Sequence, residues 1–116
     1  MSNYPQQGEN WKASFQEGWE RPAIIVSRNE LNRGRLILVV PCTSSRVDER
    51  AIHSNHVFIP SGVGGLTKDT VAQTHLIQPI ETSYLERRLG KLTSEQLAEV
   101  LLAIAWTIDL FDTTHQ

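Results

Sequence analysis

The sequence predicts an α+β domain in which about five short strands form a small barrel, with a short helix and a C-terminal helix. Two β-branched apolar runs, residues 21–27 and 36–45, flank a polar segment that contains Asn32. This pattern is typical of a strand, a turn and a second strand, both largely buried. Near the C-terminus, Thr93 and Gln96 form a capping box ahead of apolar residues at helical spacing. Strands followed by one closing helix favour a small barrel covered on one side.

Length and composition describe one ordinary globular domain. The chain has 116 residues, of which 40% are hydrophobic and 21% are charged. A net charge of −2 argues against binding of nucleic acid through bulk positive charge. The charge is uneven, because residues 21–50 contain six arginines and three acids, so this part could face a polyanion. We expect a flexible segment over residues 1–9 and a single domain over 10–116.

The apolar hairpin suggests where a functional site lies. If its strands pair about a turn centred near Asn32, Arg21 and Thr43 become neighbours at one rim of the sheet. A guanidinium beside a hydroxyl suits a bound phosphate. Alternatively, Arg21 forms a surface ion pair and Thr43 simply has good strand propensity.

The other elements follow from shorter patterns. We predict strands over 11–15, 56–60 and 70–80, a loop over 46–55, a short helix over 82–89 and a last helix from Thr93 to about Leu110. One apolar row of the last helix consists of Leu97, Val100, Leu101, Ile104, Ile108 and Phe111, and the second of Leu102, Trp106 and Leu110. One row packs on the sheet, and the second predicts a surface buried in a homodimer.

Several other motifs have structural interpretations. Cys42 is the only cysteine, so the chain has no internal disulfide, and its apolar surroundings predict an inert thiol. Residues 62–65 are glycine-rich but lack the Gly-Lys-Ser/Thr of a phosphate loop, and we interpret them as a turn. His53 and His56 lack an evident third ligand and His75 is on a different predicted strand, so no metal site is predicted.

The three tryptophans and the absence of long apolar runs complete the residue-level interpretation. Trp19, in a loop beside Arg21, is the candidate for stacking on a base, whereas Trp11 and Trp106 are predicted to pack. No apolar run approaches the ~20 residues that span a bilayer, and no signal peptide is evident. We therefore expect a cytoplasmic protein with no membrane partner.

Four segments of the chain resemble one protein family. The segments 21–27, 40–44, 65–71 and 89–92, followed by the terminal helix, are similar to the MazF/PemK toxins of bacterial type II toxin–antitoxin systems. The resemblance covers nearly the whole chain from Gly8. It implies an SH3-like barrel of the CcdB/MazF type that forms a homodimer.

The resemblance also implies an activity. These toxins are mRNA interferases, endoribonucleases that cut single-stranded RNA at a short sequence without a metal or other cofactor. The ribose 2′-OH attacks the adjacent phosphorus, which leaves a 2′,3′-cyclic phosphate and a 5′-OH. By resemblance, Arg21 and Thr43 are the catalytic pair. The residues expected to bind RNA are Trp19, Ser44, Arg46, Lys68 and His75.

The same resemblance implies regulation by a cognate antitoxin, with operator DNA reached only through the antitoxin complex. We expect an acidic, partly disordered antitoxin that contacts Arg46 or Arg50. Two departures from the family pattern are a shorter connection before Arg21 and Leu76 in place of a glutamine. Two other functions stay open: a toxin of the same fold that binds a protein such as a topoisomerase, and an RNA-binding module without activity.

Overall fold

The computed structural model describes residues 4–110, except for the side chain of Glu17. In this range the chain forms seven strands and two α-helices, joined by turns and single-turn 3-10 helices. The strands are β1 (Glu9–Ser14), β2 (Glu20–Ile25), β3 (Leu36–Thr43), β4 (His56–Ile59), β5 (Thr70–Gln73), β6 (Gln78–Glu81) and β7 (Leu85–Lys91), and the helices are α1 (Val47–Arg50) and α2 (Ser94–Thr107).

All seven strands belong to one antiparallel sheet. Its order is β4-β5-β3-β2-β1-β7, and β6 pairs with the first half of β3. The outer strands of this order do not pair with each other, so the sheet is open. The predicted α+β class is confirmed, but the predicted barrel is barrel-like and is not closed.

Apolar residues fill both sides of the curved sheet. One cluster includes Ile24, Val40 and Cys42 and lies under α2, which contributes Val100 and Ala103. The second cluster lies on the opposite face of the hairpin, and its members are Ala13, Ala23, Ile25, Ile37, Val39 and Ile80, with Trp11, Phe15 and Leu85 packed against them. The strands of the hairpin are therefore buried on both faces, as their continuous apolar runs predict.

A polar network inside the turn fixes the register of the hairpin. Asn32 is 1% exposed, and its amide nitrogen donates to the Ser27 carbonyl at 3.0 Å. The Ser27 hydroxyl donates to the Asn32 side-chain oxygen and accepts the backbone N–H of Leu38 at 3.1 Å. The turn is thus centred at Asn32, as predicted.

The prediction of one continuous strand over 70–80 is wrong. A 3-10 turn over Thr74–Leu76 divides it, and β5 pairs with the end of β3 while β6 pairs with its beginning. The Thr74 hydroxyl donates to the Asn55 carbonyl at 2.8 Å and lies 3.0 Å from the Thr107 hydroxyl, which fixes the turn against α2. The predicted loop over 46–55 contains one short helix, α1.

The predicted helix over 82–89 is also wrong. Only Thr82–Tyr84 form a 3-10 turn, after which the chain enters β7 and pairs with β1. Long-range pairing with β1 overrides the local preference for a helix, because it gives the backbone of β7 ladder partners. Glu9 already belongs to β1, and Gly8 both donates to Ile25 and accepts from Leu92. The part of the predicted flexible segment nearest the domain is therefore attached to the sheet, and residues 1–3 lie outside the described range.

The last helix begins as predicted and ends earlier. Thr93 and Gln96 form the capping box, and α2 ends at Thr107. Its first row packs inward through Val100, with Leu97 and Ile104 partly buried. The prediction is wrong for Leu101 and Ile108 of that row, which are exposed. The second row is exposed within one chain, with Trp106 at 62%, so Trp106 does not pack against the rest of its own chain. Phe111 lies outside the described residues. Neither helix of residues 4–110 is long and apolar enough to cross a membrane.

Candidate active site

The register of β2 and β3 places Arg21 and Thr43 on one face of the sheet. The observed pairing ends at Ala23 and Pro41, and continuing it by two residues brings Arg21 level with Thr43. Side chains alternate along a strand, and the alternate residues Ile24, Val40 and Cys42 belong to the cluster under α2. Arg21 and Thr43 therefore share the face opposite α2.

Two neighbours hold the Arg21 guanidinium. Its central carbon lies 4.8 Å from the centre of the Trp19 ring, a cation–π contact. Its Nη1 donates to the side-chain oxygen of Gln73 at 3.4 Å. Among the side chains that the structure describes, which exclude that of Glu17, the ion pairs do not involve Arg21. The remaining guanidinium N–H groups can donate to an anion.

Thr43 ends β3, and its hydroxyl has a defined role there. The hydroxyl oxygen accepts the backbone N–H of Ser45 at 3.1 Å, which closes a small turn. A hydroxyl carries one hydrogen besides its acceptor sites. With its oxygen held by Ser45, Thr43 can donate that hydrogen to an oxygen bound next to Arg21.

A groove of about 320 Å³ opens beside Arg21. It is lined by Phe15, Gln16, Trp19, Arg21, Pro41, Leu76 and Gln78. A second trough of about 460 Å³ shares Phe15, Gln16 and Gln78 with it and continues to Leu36 and Tyr84. Together they form an elongated surface with aromatic and amide side chains, which suits an extended ligand with planar groups.

Two glutamines in this region were missed by the sequence interpretation. Gln73 is 4% exposed and contacts Arg21, and Gln78 lines the groove. By resemblance, Leu76 stands where the family commonly has a glutamine. Leu76 lines the groove, and so does Gln78, while Gln73 contacts Arg21. The available signal was a glutamine ending the otherwise apolar run Val71-Ala72-Gln73. The shortened connection before Arg21 is a single 3-10 turn, Gln16–Gly18, whose end presents Trp19.

The other predicted RNA-binding residues lie on three segments: after β3, before β5 and after β5. Ser44 is exposed and directly follows Thr43, and Arg46 is exposed at the start of α1 with a φ of 55°. Lys68 is exposed two residues before β5, whose beginning pairs with the end of β3. His75 lies at the other end of β5, where its Nδ1 is 2.7 Å from the Asn55 amide nitrogen.

The histidines come closer together than the sequence predicts. The ring centres of His56 and His75 are 5.2 Å apart, and those of His53 and His56 are 6.1 Å apart. Burial, together with His75, Arg50 and His53, lowers the pKa of His56. Within residues 4–110 no group of three or more His, Cys, Asp or Glu is arranged to hold a metal ion.

The environment of Cys42 makes its thiol unreactive. Its side chain is in the core, and burial raises the pKa of Cys42 to about 12. A thiolate is the reactive form, so this cysteine is a core residue, as predicted.

Comparison with known proteins identifies the family. The model of the PemK-like, MazF-like toxins of type II toxin–antitoxin systems matches residues 5–108. The chain belongs to this toxin family. It is 32% identical over 98 residues to endoribonuclease MazF9 of Mycobacterium tuberculosis, covering 79% of this chain and 80% of the relative. It is 26% identical over 110 residues to probable endoribonuclease MazF5 of the same organism, covering 94% and 97% of the two chains.

Solved structures give the same fold. A mycobacterial endoribonuclease in complex with its cognate antitoxin has a TM-score of 0.78 at 23% identity, covering 91% of this chain and 96% of that one. The Mycobacterium tuberculosis toxin MazF-mt6 has a TM-score of 0.75 at 24% identity, covering 87% and 96%. The predicted family is confirmed, and the endoribonuclease names of the curated relatives support that interpretation over a toxin that binds a topoisomerase.

Proposed function

We propose that this chain is the toxin of a type II toxin–antitoxin pair and cleaves single-stranded RNA with Arg21 and Thr43. The observation that most directly supports this proposal is the register that sets Arg21 opposite Thr43, with the guanidinium held by Trp19 and Gln73. Arg21 lines a groove with aromatic and amide walls, and Thr43 ends the neighbouring strand. Single-stranded RNA is recognised through just such stacking and polar contacts to unstacked bases.

The reaction uses a nucleophile that the substrate already carries. The 2′-oxygen forms a bond to the adjacent phosphorus and loses its proton to water, and the bond from phosphorus to the 5′-oxygen breaks. The products are a 2′,3′-cyclic phosphate and a 5′-hydroxyl, whose oxygen takes up a proton. Negative charge grows on the phosphoryl oxygens meanwhile, and fixed donors aimed at that charge lower the barrier.

Arg21 and Thr43 have different parts in this reaction. A guanidinium stays protonated in proteins, so Arg21 donates hydrogen bonds and does not act as a base, and two of its N–H groups can grip one phosphate. Thr43 adds a single hydroxyl donor. No metal or other cofactor is required in this scheme, since the substrate supplies the nucleophile and the protein supplies positive charge and hydrogen bonds.

The protein partners are a second copy of the chain and an antitoxin. Leu102 and Trp106 on α2, and Leu110 just after it, are each more than 60% exposed, as expected of an apolar surface that another protein surface covers. We assign it to a homodimer. An acidic, partly disordered antitoxin would lie across the groove and contact Arg46 or Arg50, and operator DNA would be bound only through that complex. Charge reversal at both arginines that left antitoxin affinity unchanged would contradict this route.

A chelator experiment tests the activity most simply. Purified protein is incubated with a long single-stranded RNA in the presence of EDTA, and the fragment ends are mapped. The proposal predicts cuts at a short repeated sequence, with cyclic phosphate and 5′-hydroxyl ends. Intact RNA that is nevertheless bound would instead support an inactive RNA-binding module. Neither binding nor cleavage would favour a toxin with a protein target. A cytoplasmic location is part of the proposal, because that is where the substrate would be met.

A further inference from the structure

We propose that the sheet face continues the RNA site past Thr43 onto β4, where Phe58 stacks on a base and His75 and Arg50 contact the neighbouring phosphate. This subsite rests on the proposed ribonuclease function but lies outside the catalytic pair, and it adds Phe58 and Arg50 to the expected RNA-binding residue His75. It would serve single-stranded RNA beyond the cleaved bond and would tolerate different bases, because every base has a face on which an aromatic ring can stack.

The strand register puts Phe58 in the same row as Thr43, on the far side of the fully buried Val71. Thr43 pairs with Val71, and Val71 pairs in turn with Phe58. Extending the β2–β3 pairing puts Arg21 at the other end of the same row. Since neighbouring strands lie about 4.8 Å apart, Phe58 is roughly 10 Å from Thr43 across the sheet. That separation is within reach of the next nucleotides of a strand bound at Thr43.

Phe58 is an aromatic residue exposed on a strand that is otherwise well covered. It is 43% exposed, whereas its neighbours Val57 and Ile59 are buried beneath α2. Alternation along β4 therefore directs the Phe58 ring to the face that carries Arg21 and Thr43. An exposed ring on a sheet face is the element that stacks bases in sheet-based RNA recognition.

Polar groups suited to a phosphate lie at the start of β4, the strand that carries Phe58. His56 is two residues before Phe58 on the same face, and its ring centre is 5.2 Å from that of His75. The Asn55 amide nitrogen lies 2.7 Å from Nδ1 of His75, while the Asn55 oxygen lies 3.1 Å from Nδ1 of His56. With the amide donating to His75, that imidazole carries its hydrogen on Nε2. His75 is exposed, so this N–H can donate to a phosphate oxygen.

Arg50 supplies the positive charge and connects the subsite to Thr43. Its Nε donates to the Ser45 carbonyl at 3.0 Å, and the Ser45 N–H donates to the Thr43 hydroxyl. One guanidinium edge is thus used to fix the chain after Thr43, which leaves the terminal nitrogens for a ligand. Arg50 is also close enough to His56 to lower its pKa. His75 and Arg50 therefore both lie near His56, which is two residues from Phe58 along β4.

The test measures RNA affinity with a probe that cannot be cleaved by the proposed chemistry. The probe is a fluorescent pool of single-stranded 2′-O-methyl RNA of random sequence, which lacks the attacking hydroxyl. We expect Phe58→Ala to weaken binding about tenfold or more, from the ~1–3 kcal/mol of one base–aromatic stack. Phe58→Trp should bind within about twofold of the wild type, and Phe58→Leu should be as weak as Phe58→Ala. Leu31→Ala, an exposed apolar residue in the hairpin turn, is the control and should leave affinity unchanged.

Salt dependence separates the phosphate contact from the stack. Arg50→Gln should reduce the slope of log affinity against log salt by about 0.7, the value for one phosphate on a single strand, and Phe58→Ala should leave the slope unchanged. Circular dichroism melts establish that each variant is folded.

Wild-type affinity for Phe58→Ala or for Phe58→Leu would overturn the subsite, as would a wild-type protein that does not bind the pool. Cleavage of natural RNA is scored separately. If the wild type cleaves RNA but the Phe58 substitutions leave RNA affinity unchanged, the subsite alone is refuted. If the wild type does not cleave RNA but the Phe58 substitutions weaken RNA binding, the ribonuclease function alone is refuted.

Discussion

The buried contact between Gln73 and Arg21 permits a substitution that separates positioning from phosphate binding. Gln73→Glu keeps the shape of the side chain and strengthens its bond to the guanidinium. If Gln73 only needs to hold Arg21 in place, this change is harmless. If Arg21 must grip a phosphate, the new carboxylate competes for the same positive charge and repels the substrate, so cleavage falls.

The expected size follows from the geometry. Gln73 Oε1 is 3.4 Å from Arg21 Nη1, and Gln73 is 4% exposed. Two unit charges near 4 Å interact by about 4 kcal/mol at an effective dielectric constant of about 20. Desolvation of the buried carboxylate offsets part of this attraction. We therefore expect a net loss of about 2 kcal/mol in transition-state stabilisation, roughly thirtyfold in rate.

Two control variants accompany the measurement. Gln73→Leu removes the hydrogen bond without adding charge and should cost only about 1 kcal/mol, near fivefold, because a 3.4 Å bond is long. Gln78→Glu adds the same charge to the groove at a residue whose amide contacts the Leu76 carbonyl, and it should have a smaller effect than Gln73→Glu. Single-turnover cleavage of a defined RNA is measured for each folded variant. Cleavage by Gln73→Glu at or above the rate of Gln73→Leu would refute the phosphate role of Arg21.

Three further predictions concern assembly and stability. Light scattering at micromolar concentration should report twice the 13.1 kDa mass of the chain, and Trp106→Glu should shift it toward the monomer; a wild-type monomer would contradict the dimer. Gly65→Ala should destabilise the fold by on the order of 3 kcal/mol in urea unfolding, since its Cβ would lie 1.9 Å from the Leu89 carbonyl oxygen. Gly62→Ala, with a φ of +94° but open space around it, should cost only about 1 kcal/mol, and equal losses would contradict the close approach. Because the folded pKa of His56 lies below its unfolded value of about 6.5, the stability from neutral His56 is complete above that pH and is lost as pH falls through the folded pKa. His56→Asn should therefore lose less stability than the wild type between about pH 7.5 and 5, and parallel losses would refute this assignment.

The hairpin and the helix cap were predictable because local residues determine them. Asn32 and Ser27 complete the turn with their own side chains, and Thr93 and Gln96 cap α2 in the same way. Once the turn is centred at Asn32, the register that joins Arg21 to Thr43 follows from antiparallel geometry. This is why the predicted catalytic pair could be located without knowledge of the other strands.

The rest depends on pairings between distant segments. The break at Thr74–Leu76 and the strand β7 exist because β6 and β7 find partners in β3 and β1. Their own sequences do not distinguish these states from a continuous strand or a helix. Gln73 and Phe58 join the site face only through the register of β5 with its two neighbours, so the sequence alone did not indicate them. Trp106 has helical spacing suited to packing, yet it is exposed on one chain.

Single-turnover cleavage by Arg21→Lys, Thr43→Val and the double variant tests the central claim most directly. Lysine keeps the charge but loses the planar two-pronged grip, and valine keeps the strand shape but loses the donor. Each single change should slow cleavage of a defined RNA by roughly a hundredfold, the cost of one preorganised donor, while RNA affinity stays near that of the wild type. Because both groups stabilise one transition state, the double variant should be less impaired than the product of the two losses. Near-normal rates for both single variants, in folded protein that binds RNA, would contradict the assignment of Arg21 and Thr43 as the catalytic pair.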